Sequence, residues 1–253
     1  MKKVIIFVLL ICVSFTSFGF DYSSAFDRAN KLYMGKQYEK SLEEYKKIEK
    51  RLNEKGEKSF KLYYNLGCVY YRLKDYPNAR LYFEKAKRIK PLDKSLLKNL
   101  ELVKIAVKDK TKSKKEGFFV DLFRKIYLSA GLNLFTVITA LFFIACFVFI
   151  ALIISARFDR KKLYYGLGVS VFLFFVFFSL FYSRYKFTFS KEAVVFSDSV
   201  DVFSEPNTSS TVLFKLNSGM KVSVEENLNG YAHISLPDGL NGWVDRQYLK
   251  EIE

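Results

Sequence analysis

The sequence predicts a multidomain membrane protein: an all-α helical-repeat domain, two transmembrane α-helices and a small all-β barrel, in that order. Three observations carry this. Apolar residues, half of the 253-residue chain, gather at residues 4–13, 134–156 and 163–183 instead of spreading as in a soluble protein. Residues 60–93 place small and apolar side chains at the spacing of two antiparallel helices. From Glu192 onward, short alternating runs replace the helical period.

The chain begins with Lys2 and Lys3, the apolar run Val4–Val13, and then Ser14-Phe-Thr-Ser-Phe-Gly19. A charged start, a short apolar stretch and small residues at Ser17 and Gly19 predict a signal peptide over residues 1–19, cleaved before Phe20. An uncleaved anchor is the alternative. Cys12 raises a lipoprotein site as a further alternative, disfavoured because Ile11 before it is too large for the small residue usual there.

Residues 20–107 are read as the repeat domain. In the unit 60–93, Gly67 and Ala79 are small where two helices cross, and Tyr63, Leu66, Tyr70, Phe83 and Ala86 fill the space around that crossing. Pro91 ends the second helix. These residues resemble a tetratricopeptide repeat along the whole unit. An earlier unit spans about residues 22–55, with Ala25, Ala29 and Leu32 on its first helix and Ser41, Tyr45 and Ile48 on its second. Its spacing to the next unit exceeds the ideal, and the excess is assigned to a loop over Leu52–Lys58. Ser95–Val107 is predicted as a capping helix with Leu96, Leu100, Val103 and Val107 on one side. By resemblance to the family, the first helix of each pair lines a partner-binding concave face. Its residues would be Phe26, Asn30, Tyr33, Tyr64, Cys68 and Tyr71. The alternative is that these aromatics pack between repeats.

Residues 108–133 form a basic linker followed by an amphipathic stretch. Lys104, Lys108, Lys110, Lys112, Lys114 and Lys115 stand against Asp109 alone, which reads as a solvated tether that also attracts anionic headgroups. Phe118, Phe119, Leu122, Phe123 and Ile126 fall at helical spacing, predicting either an interfacial helix or a first turn continuous with the span.

Leu134–Ala156 and Leu163–Ser183 carry no charged residue. At about 1.5 Å per residue the first rises about 35 Å, enough for a hydrocarbon core of about 30 Å. The remaining chain is too small and polar to bury two such helices as soluble cores. The loop at residues 157–162, Arg157-Phe-Asp-Arg-Lys-Lys162, is rich in cations and is predicted to face the cytoplasm. Both flanking domains are then extracytoplasmic, in agreement with the signal peptide and against the cations Arg124, Lys125, Arg184 and Lys186 on the outer flanks.

Residues 192–253 show runs at Ala193–Phe196, Val200–Phe203, Val212–Leu216, Lys221–Glu225, Ala232–Leu236 and Gly242–Val244, separated by turn signals such as Asn229-Gly230 and Pro237-Asp-Gly239. They predict a small barrel. The order resembles a bacterial SH3-like domain, most specifically in Gly239 followed by Gly242-Trp243-Val244. Where that family commonly has Arg-Ser-Gly-Pro, this chain has Phe203-Ser-Glu-Pro206, so ligand specificity does not carry over. Trp243 is assigned to the core rather than to a ligand platform, and His233 to an exposed or half-buried structural position.

The net charge of +15 raises nucleic acid as a partner. The export signal and the two spans keep the domains away from it, so no nucleic-acid partner is expected. One histidine, and Cys12, Cys68 and Cys146 at positions unsuited to pairing, exclude most nucleophilic dyads and zinc sites. No phosphate loop is present and the carboxylates alternate with lysines. The expectation is a protein that is not an enzyme and uses no cofactor and no metal.

The order of signal peptide, tetratricopeptide pair, transmembrane hairpin and SH3-like domain resembles BatE-type proteins of the bacterial Bat aerotolerance group, along essentially the whole chain. The resemblance implies a noncatalytic adaptor in the inner membrane, both domains periplasmic. Its partners would be membrane or periplasmic proteins with von Willebrand factor A-type domains, besides the lipid bilayer itself. A peptidoglycan-binding envelope module or sensor, accessory to a wall enzyme, is the second reading.

Overall fold

A computed structural model describes residues 22–109, 111, 117–155 and 159–252. The signal peptide at 1–19, most of the lysine tether and the first part of the interspan loop lie outside the described residues. Eight α-helices and seven strands are present among those described. The chain divides into two compact units, one up to Lys58 and one from Ser59 onward.

The first unit contains α1 (Tyr22–Met34) and α2 (Tyr38–Glu54) as an antiparallel hairpin. Ala25, Ala29, Tyr45 and Ile48 are buried between them. Ser41 donates to the Ala29 carbonyl at 2.9 Å, which satisfies a buried hydroxyl at the crossing. α2 runs on through Glu54 and buries Leu52, so the extra residues of this repeat lengthen the helix more than they lengthen the predicted loop.

The second unit opens with α3 (Phe60–Arg72) and α4 (Tyr76–Ile89), followed by α5 (Lys94–Ala106). Each starts on a side-chain cap: Ser59 accepts from the Leu62 N–H, Asp75 from Asn78 and Asp93 from Leu96. A Cβ on Gly67 would stand 2.5 Å from the buried Phe83 ring, which is why this crossing requires glycine. α1, α3 and α5 are each followed by a lysine at positive φ, namely Lys36, Lys74 and Lys108. The next amide in each case reaches back to a carbonyl in the last helical turn: Gln37 to Leu32, Asp75 to Tyr70, Asp109 to Lys104. α5 therefore ends like the first helix of a repeat pair.

α6 (Phe118–Ser129) packs against the second of two long helices, α7 (Leu132–Ser155) and α8 (Arg160–Thr188). α7 and α8 form an antiparallel pair with ring contacts Phe142–Phe177 at 5.5 Å and Phe143–Phe174 at 5.7 Å. Both are long and apolar enough to cross a membrane. Their outward faces leave Leu141, Ile144, Phe147, Phe172 and Phe175 exposed. Apolar surface of that extent associates the chain with a lipid phase.

The C-terminal residues form β1 (Glu192–Val195), β2 (Val200–Phe203), β3 (Val212–Leu216), β4 (Lys221–Leu228), β5 (Tyr231–Ser235), β6 (Asn241–Asp245) and β7 (Leu249–Glu251). Asn229-Gly230, both at positive φ, turns β4 into β5 in two residues. The order is β3-β2-β6-β5-β4-β1-β7, so the antiparallel sheet is open where the sequence predicts a barrel. It still encloses one core, with Ala193, Val195, Val202, Leu216, Val222, Ile234 and Val244 packed together.

β1 is buried on both faces. Ala193 and Val195 enter the sheet core, while Val194 packs against Leu81 of α4 together with Ile252. The repeat hairpin and the sheet are thus in direct contact. Charges surround the apolar seam. Arg80 Nε donates to Glu84 Oε1 at 3.1 Å, and Lys221 Nζ lies 3.6 Å from Glu84 and 2.9 Å from Glu192. Arg88 donates to the Ser190 carbonyl at 2.7 Å. Burial pushes the Glu84 carboxyl up, but the charges of Lys221, Lys87 and Arg80 outweigh it and hold it at about 2. Lys221 is raised: burial lowers it, and Glu84 and Glu192 more than compensate.

This network stabilises the fold above the ordinary carboxyl value of 4.5, and its contribution is lost as pH falls from there toward about 2. The Lys221 contribution is present below the ordinary 10.5 and is lost only at higher pH. Melting of the detergent-solubilised chain across the acid window should therefore be steeper for the wild type than for Glu84→Gln, by on the order of 3 kcal/mol. Equal acid sensitivity of the two proteins would show that Glu84 does not carry this linkage.

Candidate functional site

The residues expected on the repeat face occupy two helices. On α1, Phe26 is buried edge-on to Tyr45 at 6.0 Å, and Asn30 accepts a hydrogen bond from the Tyr45 hydroxyl at 2.5 Å. Tyr33 is half-buried and stands 5.4 Å from Tyr38. All three contact the other helix of their own hairpin.

On α3, Tyr64 stacks on Phe60 at 5.9 Å and meets Phe83 at 6.0 Å. Asn99 of α5 donates to the Tyr64 hydroxyl at 3.0 Å and lies 3.7 Å from the Cys68 sulfur. Two of the three α3 positions are therefore bridged by the capping helix. Burial pushes the Cys68 thiol up to about 11, with the Tyr64 and Arg72 interactions only partly opposing it, so it is not a nucleophile near neutral pH. Tyr71 is half-buried beside Tyr76 at 5.7 Å. Asn99 was not singled out in the sequence. Its position one helix turn after the buried Leu96, on a cap that must cover α3, is the signal that marks it.

In the sheet, Gly239 closes the β5–β6 turn at a φ of +95°, and a Cβ on Gly242 would stand 2.8 Å from the Phe203 carbonyl oxygen. Val244 is fully buried in the core. Trp243 is not in that core. Strand alternation turns it to the opposite face from Val244, where it is half-buried. It pairs across the sheet with Phe203 on one side and His233 on the other, the His233 ring lying 5.1 Å away. Tyr231 and Phe203 approach edge-to-face at 6.4 Å. His233 is half-buried, with Nδ1 3.1 Å from a Glu225 carboxylate oxygen. The outward face of β2, β5 and β6 thus carries a row of aromatic rings, which can offer flat apolar surface and a few polar edges to a ligand.

Removing a core Trp costs about 3–5 kcal/mol. Because the indole is half-buried on the outer face, Trp243→Ala should cost less than Ile234→Ala, which deletes a fully buried core side chain at about 2–5 kcal/mol. Thermal melts of the two variants decide this, and a larger loss for Trp243→Ala would return the indole to a core role.

Comparison with known families gives two partial matches. Residues 60–93 match the tetratricopeptide repeat and residues 198–250 match the bacterial SH3 domain. No curated protein matches the chain. The chain therefore carries a tetratricopeptide repeat and a bacterial SH3 domain on either side of two membrane-length helices, a combination of interaction modules with an envelope location.

Proposed function

We propose that this protein is a membrane-anchored, noncatalytic adaptor that gathers partner proteins on the extracytoplasmic side of a bacterial inner membrane, within a Bat-type stress (aerotolerance) complex. The observation that carries the reading is the seam between α4 and β1. These elements precede and follow the α7–α8 hairpin in sequence, and a hairpin that crosses a bilayer returns to the side from which it entered. Their contact supports a shared side for both modules. The side is argued from Arg160, Lys161 and Lys162 at the turn, which favour the cytoplasm, and from the predicted signal peptide.

The adaptor role also agrees with where the charges go. Arg80, Glu84, Glu192 and Lys221 are spent on one another inside a structural contact instead of lining an open cleft. Holding two interaction modules on one anchor raises the effective concentration of each for ligands near the membrane. By resemblance, the partners would be membrane proteins with von Willebrand factor A-type domains.

Affinity capture from solubilised membranes with the full chain should recover envelope proteins. Tyr64→Ala combined with Tyr71→Ala should reduce that recovery about tenfold or more while the unfolding temperature confirms a folded chain. Undiminished capture would remove the repeat face from the mechanism. Added protease should cleave both modules in spheroplasts, and protection of either one would refute the shared extracytoplasmic placement.

The outward aromatic row at Phe203, Trp243, His233 and Tyr231 favours a second reading, recognition of peptidoglycan by stacking on sugar rings. In that case the solubilised chain co-sediments with purified wall material and Trp243→Ala does not. Equal sedimentation of both proteins, or of neither, leaves the adaptor reading in place.

A further inference from the structure

α6 is a helix in its own right. Ala130 takes extended backbone at φ −124° and ψ 159°, and α7 starts afresh at Leu132. The amphipathic stretch is therefore not a first turn of the span. At about 100° per residue, Phe118, Phe119, Leu122 and Ile126 fall within one arc of about 100°, and Asp121, Arg124 and Lys125 fall within another. All four apolar residues are exposed, Phe118 at 75% and Phe119 at 81%.

The helix meets α8 along a different side. Val120, Phe123, Arg124 and Tyr127 line the groove between the two helices, together with Ser183, Lys186 and Phe187 of α8. The four-residue apolar face is thus turned away from α8. Its level is set by that helix. The 29 residues of α8 rise about 43 Å, more than a hydrocarbon core of about 30 Å, so its last two turns, which meet α6, reach headgroup level. Across Ala130 and Gly131, the chain passes directly to Leu134 and Val137, which α7 also exposes. The α6 face is in this way continuous with the apolar surface of the membrane-length pair. Its charged face is nearly neutral. Asp121 is shared by Arg124 and by Lys125 at 2.7 Å, which leaves one net positive charge on the helix.

We infer that α6 lies in the plane of the membrane interface, in the leaflet at the C-terminal end of α8. Phe118, Phe119, Leu122 and Ile126 are sunk into the acyl boundary. Burial of these side chains seats the helix, and attraction to anionic lipid does not. α6 thereby braces the end of α8 from which β1 follows. The inference rests on α7 and α8 lying in a bilayer and is independent of what the two modules bind.

The test is tryptophan quenching by brominated phosphatidylcholine in nanodiscs that hold the full chain. Trp243, the sole tryptophan, is first replaced by Trp243→Phe. Phe119→Trp, Lys125→Trp or Phe147→Trp then supplies one probe, each at an exposed position. The probe at 119 should be quenched several-fold more than the probe at 125. That ratio should be the same with phosphatidylglycerol added and at high salt. Equal quenching at 119 and 125 overturns the orientation. Quenching at 119 that appears only with phosphatidylglycerol overturns seating by apolar burial. Protection of 119 from brominated lipid and from aqueous acrylamide alike assigns the face to a second copy of the chain and overturns the lipid. Position 147, on the outward face of α7, separates the two levels of failure. Absence of quenching there defeats the membrane reading itself, whereas quenching at 147 without quenching at 119 defeats only the placement of α6.

Discussion

The seam of Leu81, Val194 and Ile252 is the contact on which the second unit depends, because it joins segments on opposite sides of the membrane-length hairpin. Closing a flexible loop of roughly 110 residues costs about 4 kcal/mol of chain entropy. Burying one such aliphatic side chain contributes about 1.5–3 kcal/mol, so three of them exceed that cost. The cost is itself smaller here, since α7 and α8 already bring the two ends of the hairpin together. Lipid insertion and module docking therefore reinforce each other: each shortens the search that the other requires.

The ions around the seam have a different role. Taking Glu84, Arg80 and Lys221 from water costs several kcal/mol before their attraction repays it, so relative to apolar residues of the same volume they add little, even though protonating Glu84 in place is costly. What they supply is a unique arrangement. Glu84 bonds to Arg80 on its own helix and faces Lys221 on β4, and Lys221 reaches Glu192 on β1. A sliding of the sheet along α4 would keep the apolar contact but strand a buried carboxylate, at roughly 3–5 kcal/mol. The aliphatic residues drive the docking and the charges choose its register.

Local patterns made much of this architecture legible. The Gly67–Phe83 crossing, the capped helices and the strand alternation all follow from neighbours within one element or one hairpin. Leu81, Val194 and Ile252 were not legible: Leu81 and Val194 lie outside the period of their own elements, Ile252 follows the last strand, and each is explained only by a partner far away in sequence. β7 is three residues long and pairs only with β1, too little pattern to predict. Trp243 shows the opposite failure: it is assigned to the core, while the alternation with the buried Val244 puts it on the outer face. On α3, Tyr64 and Cys68 fit a binding surface by position, yet Asn99 from the cap bridges both. The signal was its spacing, one helix turn after the buried Leu96, which a helix read only by its apolar face passes over.

The connection after α8 sets where the sheet can work. α8 ends at Thr188 and β1 begins at Glu192, so the residues between them span no more than about 11 Å. They are also pinned. Arg88 holds the Ser190 carbonyl, Ser190 bonds back to Phe187, and the Val224 amide takes the Lys191 carbonyl at 2.8 Å. A sheet tied this closely to a membrane-length helix, and docked on α4 as well, has little freedom to reach outward. For the adaptor reading, so short a tether to the second span favours a ligand that is itself brought to the membrane. The membrane-bound partners of the adaptor reading meet that condition directly. A wall polymer would have to approach the bilayer to do so.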